Sequence, residues 1–293
     1  MLDLGRVGIW QAFDRVSPDG TRAAVAEIEK LGYKTVWIPE AGGREAFSAS
    51  SVILGATDSL IAATGIANLH MREPMSMNAG WQTLSDAFPG RFLLGIGVSH
   101  QPLVEGVIGS TYSKPYSTMV KYLDGMDSGL YFGTKPTVEP VRVLAALGPK
   151  MLKLAADRTS GAHPYFVPVE HTKFAREILG AGPMLNTETA IVITDDIEEG
   201  RRIAREHLSI YLRLPNYTNN LKRFGWTDTD ITEVNDRLVD AIVAVGSVDT
   251  AVSRIKAHLD AGASHVCVQA LTGSMDKLPF DEWRALADAI KEI

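Results

Sequence analysis

Gly90-Arg91-Phe92-Leu93-Leu94-Gly95-Ile96-Gly97-Val98-Ser99-His100 is the stretch on which the reading of the chain turns. The apolar run within Arg91 to Ile96 is too short for a typical helix, and turn residues bound it on both sides. It predicts a fully buried strand. The two glycines at its end let the backbone turn sharply or let a ligand come close. His100 then falls just past the carboxyl end of the strand, where α/β folds keep their chemistry.

Working outward, further short apolar runs alternate with helical periodicity. Strands are expected at Arg6–Trp10, Thr35–Glu40, Leu60–Asn68, Val141–Ala146, Gly161–Phe166, Thr187–Thr194 and His265–Leu271. Between the first two, Ser17-Pro18-Asp19-Gly20 is turn chemistry, and Ala24, Val25, Ile28 and Leu31 have helical spacing before Gly32 stops the helix. Similar helices follow the other strands, and Asp195-Asp196 caps a long one reaching Leu214. Residues 215–246 show no strand and read as helical, with helices at about 228–244. Eight strands, apolar on both faces and each followed by a helix, predict a TIM (β/α)8 barrel. The mostly helical insertion at about 215–246 lies between the seventh and eighth strands. A doubly wound open sheet is the rival architecture. No linker or internal repeat interrupts residues 1–293, which read as a single domain.

The chain has 293 residues and a formal net charge of -6, which argues against nucleic acid or an anionic membrane as the main partner. Its single cysteine, Cys267, permits neither an internal disulfide nor a Cys-based zinc site. No signal-like amino terminus and no long apolar run is present, so a cytoplasmic protein is expected.

In a barrel the site is built from residues just after each strand. Those positions are Trp10 and Gln11, Glu40, Asn68 and His70, Val98-Ser99-His100, Gly148-Pro149-Lys150, His163 with Tyr165, Thr194, and Gln269. Glu40 is either a solvated loop carboxylate or an acid partnering a cofactor ring. His70, His100 and His163 each end a different strand, and histidine can trade protons near neutral pH. Glu40 and the three histidines could in principle hold a metal, but none has zincin spacing, and no metal is expected. Ser99 and His100 are adjacent, which is poor geometry for a nucleophilic dyad. Gly95-Ile96-Gly97 is a weak phosphate signal. Gly148-Pro149-Lys150 is a better one, since a helix start with proline near N1 leaves its amides free beside a lysine. Tyr211, Leu214, Tyr217 and Phe224 either form a lid or pack the insertion.

Several of these segments together resemble the bacterial luciferase-like oxidoreductases. They are Glu29 to Tyr33 through Trp37-Ile38-Pro39-Glu40, Ala63 to Asn68, Gly90 to Gly97, Ala145 to Met151 through Ser160-Gly161-Ala162, and Gly246-Ser247 through Ala261-Gly262-Ala263. The Val98-Ser99-His100 ending and Ala162-His163-Pro164-Tyr165 are similar to an actinobacterial branch taken to use the deazaflavin coenzyme F420. The resemblance implies a TIM barrel, usually a homodimer, with a flavin or deazaflavin across the carboxyl ends of the strands. It implies a non-prolyl cis peptide within Ala67-Asn68-Leu69 backing the ring, and a cofactor phosphate at Gly148, Pro149, Lys150 and Met151. Glu40 falls where deazaflavin relatives carry an acidic residue, and His100 where some carry a carboxylate proposed as proton donor. On this reading His100 and Glu40 are the catalytic candidates. Ala67, Asn68, Gly97, Val98, Ser99, His163 and Tyr165 join them and the 148–151 segment around the cofactor. The expected activity is hydride transfer between coenzyme F420 and a small organic substrate. The alternatives are an FMN-dependent monooxygenase on the same fold, or a non-catalytic carrier of the cofactor.

Overall fold

The strand expected at the centre of the sequence is β5 in the computed structural model, which describes residues 2–274, 276–291 and 293. It spans Phe92–Gly97 and is buried along its whole length. Before it come β1 (Val7–Trp10), α1 (Pro18–Lys30), β2 (Thr35–Ile38), α2 (Ala46–Leu54), β3 (Ile61–Thr64), the two-residue β4 (Ala67–Asn68) and α3 (Pro74–Ala87). After it come the short α4 (Gln101–Leu103), α5 (Pro115–Ser128), β6 (Val141–Leu144), α6 (Pro149–Arg158), β7 (Gly161–Ala162), α7 (Val169–Leu179) and β8 (Met184–Ile193). The chain continues through α8 (Ile197–Tyr211), α9 (Pro215–Arg223), α10 (Asp228–Glu233), α11 (Asp236–Ile242), β9 (Val243–Gly246), α12 (Val248–Asp260), β10 (His265–Ala270) and α13 (Phe280–Ala289).

The strands pair in the order β1-β2-β3-β5-β6-β7-β8-β10, and β10 returns to β1, so the sheet closes. Every pairing is parallel. This is the expected TIM barrel, and closure excludes the open doubly wound sheet. Its lumen is filled by Trp10, Trp37, Ile61, Ala63, Leu93, Val141, Val143, Met184 and Cys267. A second apolar layer lies between strands and helices, where Ile9, Val36, Ile38, Leu94 and Ile96 meet Ile28, Ile53, Met77 and Leu123.

Three local readings are corrected. First, Ser17-Pro18 is not a turn before the helix but its start: the Ser17 hydroxyl accepts from the Gly20 amide at 3.1 Å and Pro18 takes the first position. Second, the 215–246 insertion does contain a strand. β9 pairs with the far end of β8 from Ala190 to Ile193, on the edge that β7 uses nearer its start. Third, the expected strand at Leu60–Asn68 is two pieces, β3 and β4, broken by a bulge. The non-prolyl cis peptide is Gly65–Ile66, not within Ala67-Asn68-Leu69.

That bulge explains the glycines of β5. A Cβ on Gly95 would lie 2.0 Å from the Thr64 carbonyl oxygen. One on Gly97 would meet the Ile66 side chain inside van der Waals contact. The glycines admit the neighbouring strand's kink rather than a phosphate, and Ile66 seats on the floor they leave. Gly95→Ala should therefore cost about 1–3 kcal/mol by overpacking against backbone that cannot yield. Urea unfolding checks this, and an unchanged midpoint would refute it.

Candidate functional site at the carboxyl mouth of the barrel

Just past β2, Glu40 is buried, and its own amide donates to the Ile66 carbonyl at 3.2 Å. Its Oε1 accepts from the Ala46 amide at 2.9 Å and its Oε2 from the Asn68 amide at 2.8 Å. The Arg72 guanidinium closes on both oxygens, with Nη1 2.8 Å from Oε2 and Nη2 on Oε1. Burial works to lower the Arg72 pKa, but the hydrogen bond and charge of Glu40 hold it above its ordinary value. All of the carboxylate's binding capacity is thus used. This arrangement makes Glu40 an anchor for the Gly65–Asn68 bulge, where the sequence leaves it either a solvated loop carboxylate or an acid or hydrogen-bond partner for a cofactor ring.

The other candidates divide by position. Ala67 is buried and packs toward the helices, paired with Ile96. Asn68 is buried; its Oδ1 accepts from the His70 amide at 3.0 Å, while its Nδ2 has no partner among the described residues. His163 does not reach the rim. It lies in the lumen stacked on Trp37 with ring centroids 4.3 Å apart, and its Nδ1 donates to the Asn186 carbonyl at 2.8 Å. Burial pushes its pKa down to about 4, so it is neutral, and its Nε2 is unpartnered. A Cβ on Gly65 would lie 2.8 Å from that nitrogen and 3.0 Å from Trp10 Nε1, which is also unpartnered. The bulge therefore sits directly over two uncommitted ring nitrogens.

At the end of β5, Val98 packs on the core and Ser99 takes a left-handed backbone (φ 57°), which swings His100 over the mouth. The insertion comes to meet it. His100 Nδ1 donates to Asn216 Oδ1 at 3.1 Å, and its ring lies 5.3 Å from that of Tyr217, both partners on α9. Burial lowers the His100 pKa, partly offset by the Asn216 bond. In the neutral ring that tautomer leaves Nε2 as an acceptor. His70 stands beside Tyr112 at 6.1 Å, on the same side as β4. Glu40, His70, His100 and His163 do not converge, and among the described residues no three metal-ligating side chains gather.

Tyr165, whose ring also neighbours Tyr217 at 6.2 Å, lies 5.3 Å from Trp10 and 5.1 Å from Tyr211, ring to ring. Its hydroxyl is 2.8 Å from both Gln269 Oε1 and the Tyr211 hydroxyl. A hydroxyl has one proton, so Tyr165 donates to Gln269 and accepts from Tyr211. Beneath them Glu188 is buried on β8.

The phosphate candidates form a separate corner. Gly148 caps α6 with no side chain satisfying the first amides, Pro149 and Lys150 are exposed, and Met151 packs against the core. Arg223, at the end of α9, brings its guanidinium 3.8 Å from where a Gly148 Cβ would stand. Sequence reasoning missed Arg223, Asn216, Arg72 and Glu188. The first two belong to an insertion whose packing no local pattern reports.

Residues 2–265 match the model of the luciferase-like monooxygenase family. The chain belongs to that family. It is an oxidoreductase on the family's barrel, as the sequence reading expected. A Mycobacterium tuberculosis protein named "Putative coenzyme F420-dependent oxidoreductase Rv3520c" is 26% identical over 329 residues, spanning 90% of this chain and 94% of that relative. Among solved structures, an F420-dependent secondary alcohol dehydrogenase in complex with an F420–acetone adduct superposes with a TM-score of 0.79. It is 16% identical, with 97% of this chain and 98% of that one covered. The FMN complex of the oxygenating constituent of 3,6-diketocamphane monooxygenase from Pseudomonas putida superposes at 0.70, with 17% identity and 97% of both chains covered. No helix among the described residues is long and apolar enough to cross a membrane.

Proposed function

We propose that the protein is a coenzyme F420-dependent oxidoreductase that passes a hydride between the deazaflavin and a small organic substrate. The observation that carries this reading is the bulge. Ile66, seated on Gly97, offers an apolar backing at the barrel mouth, with the unpartnered N–H donors of Trp10 and Asn68 beside it. Buried donors without acceptors cost free energy, so a site that keeps them suits a ring rich in carbonyl and ring-nitrogen acceptors. The α6 amino terminus between Lys150 and Arg223 supplies amides and positive charge for a phosphate. The F420 name of the mycobacterial relative supports the deazaflavin over FMN.

The bound deazaflavin supplies two-electron hydride chemistry, and the chain's residues bind, orient and exclude water. Ile66 and Asn68 back the ring. Glu40 and Arg72 hold the bulge in place. His100, through Nε2, accepts a hydrogen bond from a substrate hydroxyl or from the ring, held by Asn216 and Tyr217. The aromatic wall of Tyr165, Tyr211 and Tyr217 favours an uncharged substrate.

Fluorescence titration with F420 and, separately, with FMN tests the reading. F420 should bind and FMN should not. Lys150→Ala and Arg223→Ala should each weaken F420 binding about tenfold, the size of one charge-assisted contact. Binding of FMN alone would replace this reading with the monooxygenase one. Binding of neither would remove the cofactor argument.

A further inference from the structure

Reduction of a carbonyl by hydride needs one proton as well, and the two obvious donors are unsuited. Glu40 is saturated by Arg72 and two backbone amides, and the free nitrogen of neutral His100, Nε2, carries no proton because Nδ1 holds it against Asn216. The geometry points to Glu188 as the site's proton store, acting on the substrate through the Tyr165 hydroxyl. This rests on the hydride-transfer reading above.

Three observations carry it. The segment bearing Tyr165 is strapped to Glu188 from both sides: the Glu188 amide donates to the Pro164 carbonyl at 3.0 Å, and the Phe166 amide donates to Glu188 Oε2 at 3.0 Å. Tyr165 lies between those two bonds, so its position over the lumen is set by Glu188. Next, Glu188 Oε1 is buried and has no partner among the described residues. A carboxylate there would be an uncompensated charge, whereas a carboxylic acid carries an uncommitted O–H. Finally, the groups that face it offer no positive charge. They are Tyr165 on the β7–α7 connection, Tyr211 on α8, Tyr217 on α9 and Cys267 on β10, with neutral His163 beyond the cysteine at 4.0 Å. Burial accordingly raises the Glu188 pKa to about 8, offset in part by the Phe166 amide. Burial likewise holds the three tyrosines protonated.

The step balances. The substrate carbonyl carbon receives a hydride, with its electron pair, from the reduced deazaflavin, and the π pair moves to oxygen. That oxygen takes the proton Tyr165 otherwise gives to Gln269, Tyr165 regains one when the Glu188 Oε1–H, unpartnered at rest, turns to it, and the Glu188 carboxylate regains a proton from water. The products are an alcohol and oxidised deazaflavin. Tyr165 touches the substrate; Glu188 is a positioning and proton-storing residue behind it.

Infrared spectroscopy of the ligand-free protein tests the store without cofactor. Wild type should show a protonated-carboxyl carbonyl band that is lost on raising pH with a midpoint of about 8. Glu188→Gln should lack the band, and Tyr165→Phe should shift it. In single turnovers of bound reduced F420 with menadione as acceptor, Tyr165→Phe should slow oxidation roughly 10²-fold. Glu188→Gln should remove the alkaline limb of the wild-type profile. Absence of the band, its survival in Glu188→Gln, or an alkaline limb that Glu188→Gln leaves in place would overturn the proposal. F420 titration of the same samples separates the two readings: a titrating Glu188 band in a protein that does not bind F420 would sink the cofactor assignment alone.

Discussion

Replacing Arg72 by methionine should destabilise the protein by about 3–5 kcal/mol, the cost of leaving a buried charge without its partner. The Arg72 side chain is 8% exposed and that of Glu40 1%. A carboxylate removed from water needs compensation, and here it comes from one guanidinium and two backbone amides. Methionine matches much of the arginine stem and keeps its contact with Phe47, over which the guanidinium now lies at 5.1 Å. The loss is therefore mainly electrostatic. Glu45, the second partner of Arg72 at 2.9 Å, is 45% exposed and water screens it, so its share is small. The double variant Glu40→Gln/Arg72→Met removes both charges and should recover much of the loss, because a neutral amide can still accept from Ala46 or Asn68. Urea unfolding of the three proteins measures this as a cycle. A single-variant loss below about 1 kcal/mol would mean that the carboxylate reaches solvent, contrary to the geometry. Since Glu40 also bonds Ile66 and Asn68, Arg72→Met should weaken ring binding as well.

The barrel and the rim were legible in the sequence because they follow from short-range patterns. A buried strand announces itself by length, apolarity and flanking turn residues, and Phe92–Gly97 does so in full. What failed were features set by contacts distant in sequence. The β5 glycines signal close approach, but only the fold shows that the approaching atoms are Thr64 and Ile66. Glu40 reads as a free rim carboxylate because its partner lies 32 residues on, in an unremarked Met71-Arg72-Glu73 turn. β9 was hidden because Val243-Ala244-Val245 follows α11 with no turn residue between, so the apolar run reads as more helix. Glu188 does not stand out in the sequence because a charged residue in a strand normally faces water. The available signal was topological: every barrel strand has one face in the lumen and one under helices, so a carboxylate in mid-strand has no solvated side to turn to.

Acid should unfold the protein between about pH 6.5 and 4, and buried histidines set that range. His163, His171, His258 and His265 are each at most 1% exposed. Burial holds His163, His171 and His265 at about 4 and His258, with Arg254 and His171 nearby, at about 3. Their bonding fits the neutral form: His265, for example, donates from Nδ1 to the Gly5 carbonyl at 2.8 Å and accepts at Nε2 from Trp37 at 3.0 Å. An unfolded chain protonates these rings near 6.5, so below that pH it binds more protons than the folded one, and stability falls with pH. The contribution is fully present above 6.5 and is lost as pH drops toward the folded values. Each ring accounts for about 3 kcal/mol by pH 4, so two or three of them match the net stability of an ordinary domain. Glu188 acts with the opposite sign. Its raised folded value makes its contribution full below 4.5 and lost as pH rises through about 8. Stability should therefore peak between these limits, near pH 6.5, falling gently on the alkaline side and steeply on the acid side. Urea midpoints across pH 4.5–9 trace both slopes. Glu188→Gln should flatten the alkaline side and steepen the acid side between pH 4.5 and 6.5, while His258→Gln should reduce proton uptake on unfolding at acid pH by about one. A midpoint constant from pH 7 to 5 would show that these rings are not held neutral in the folded barrel.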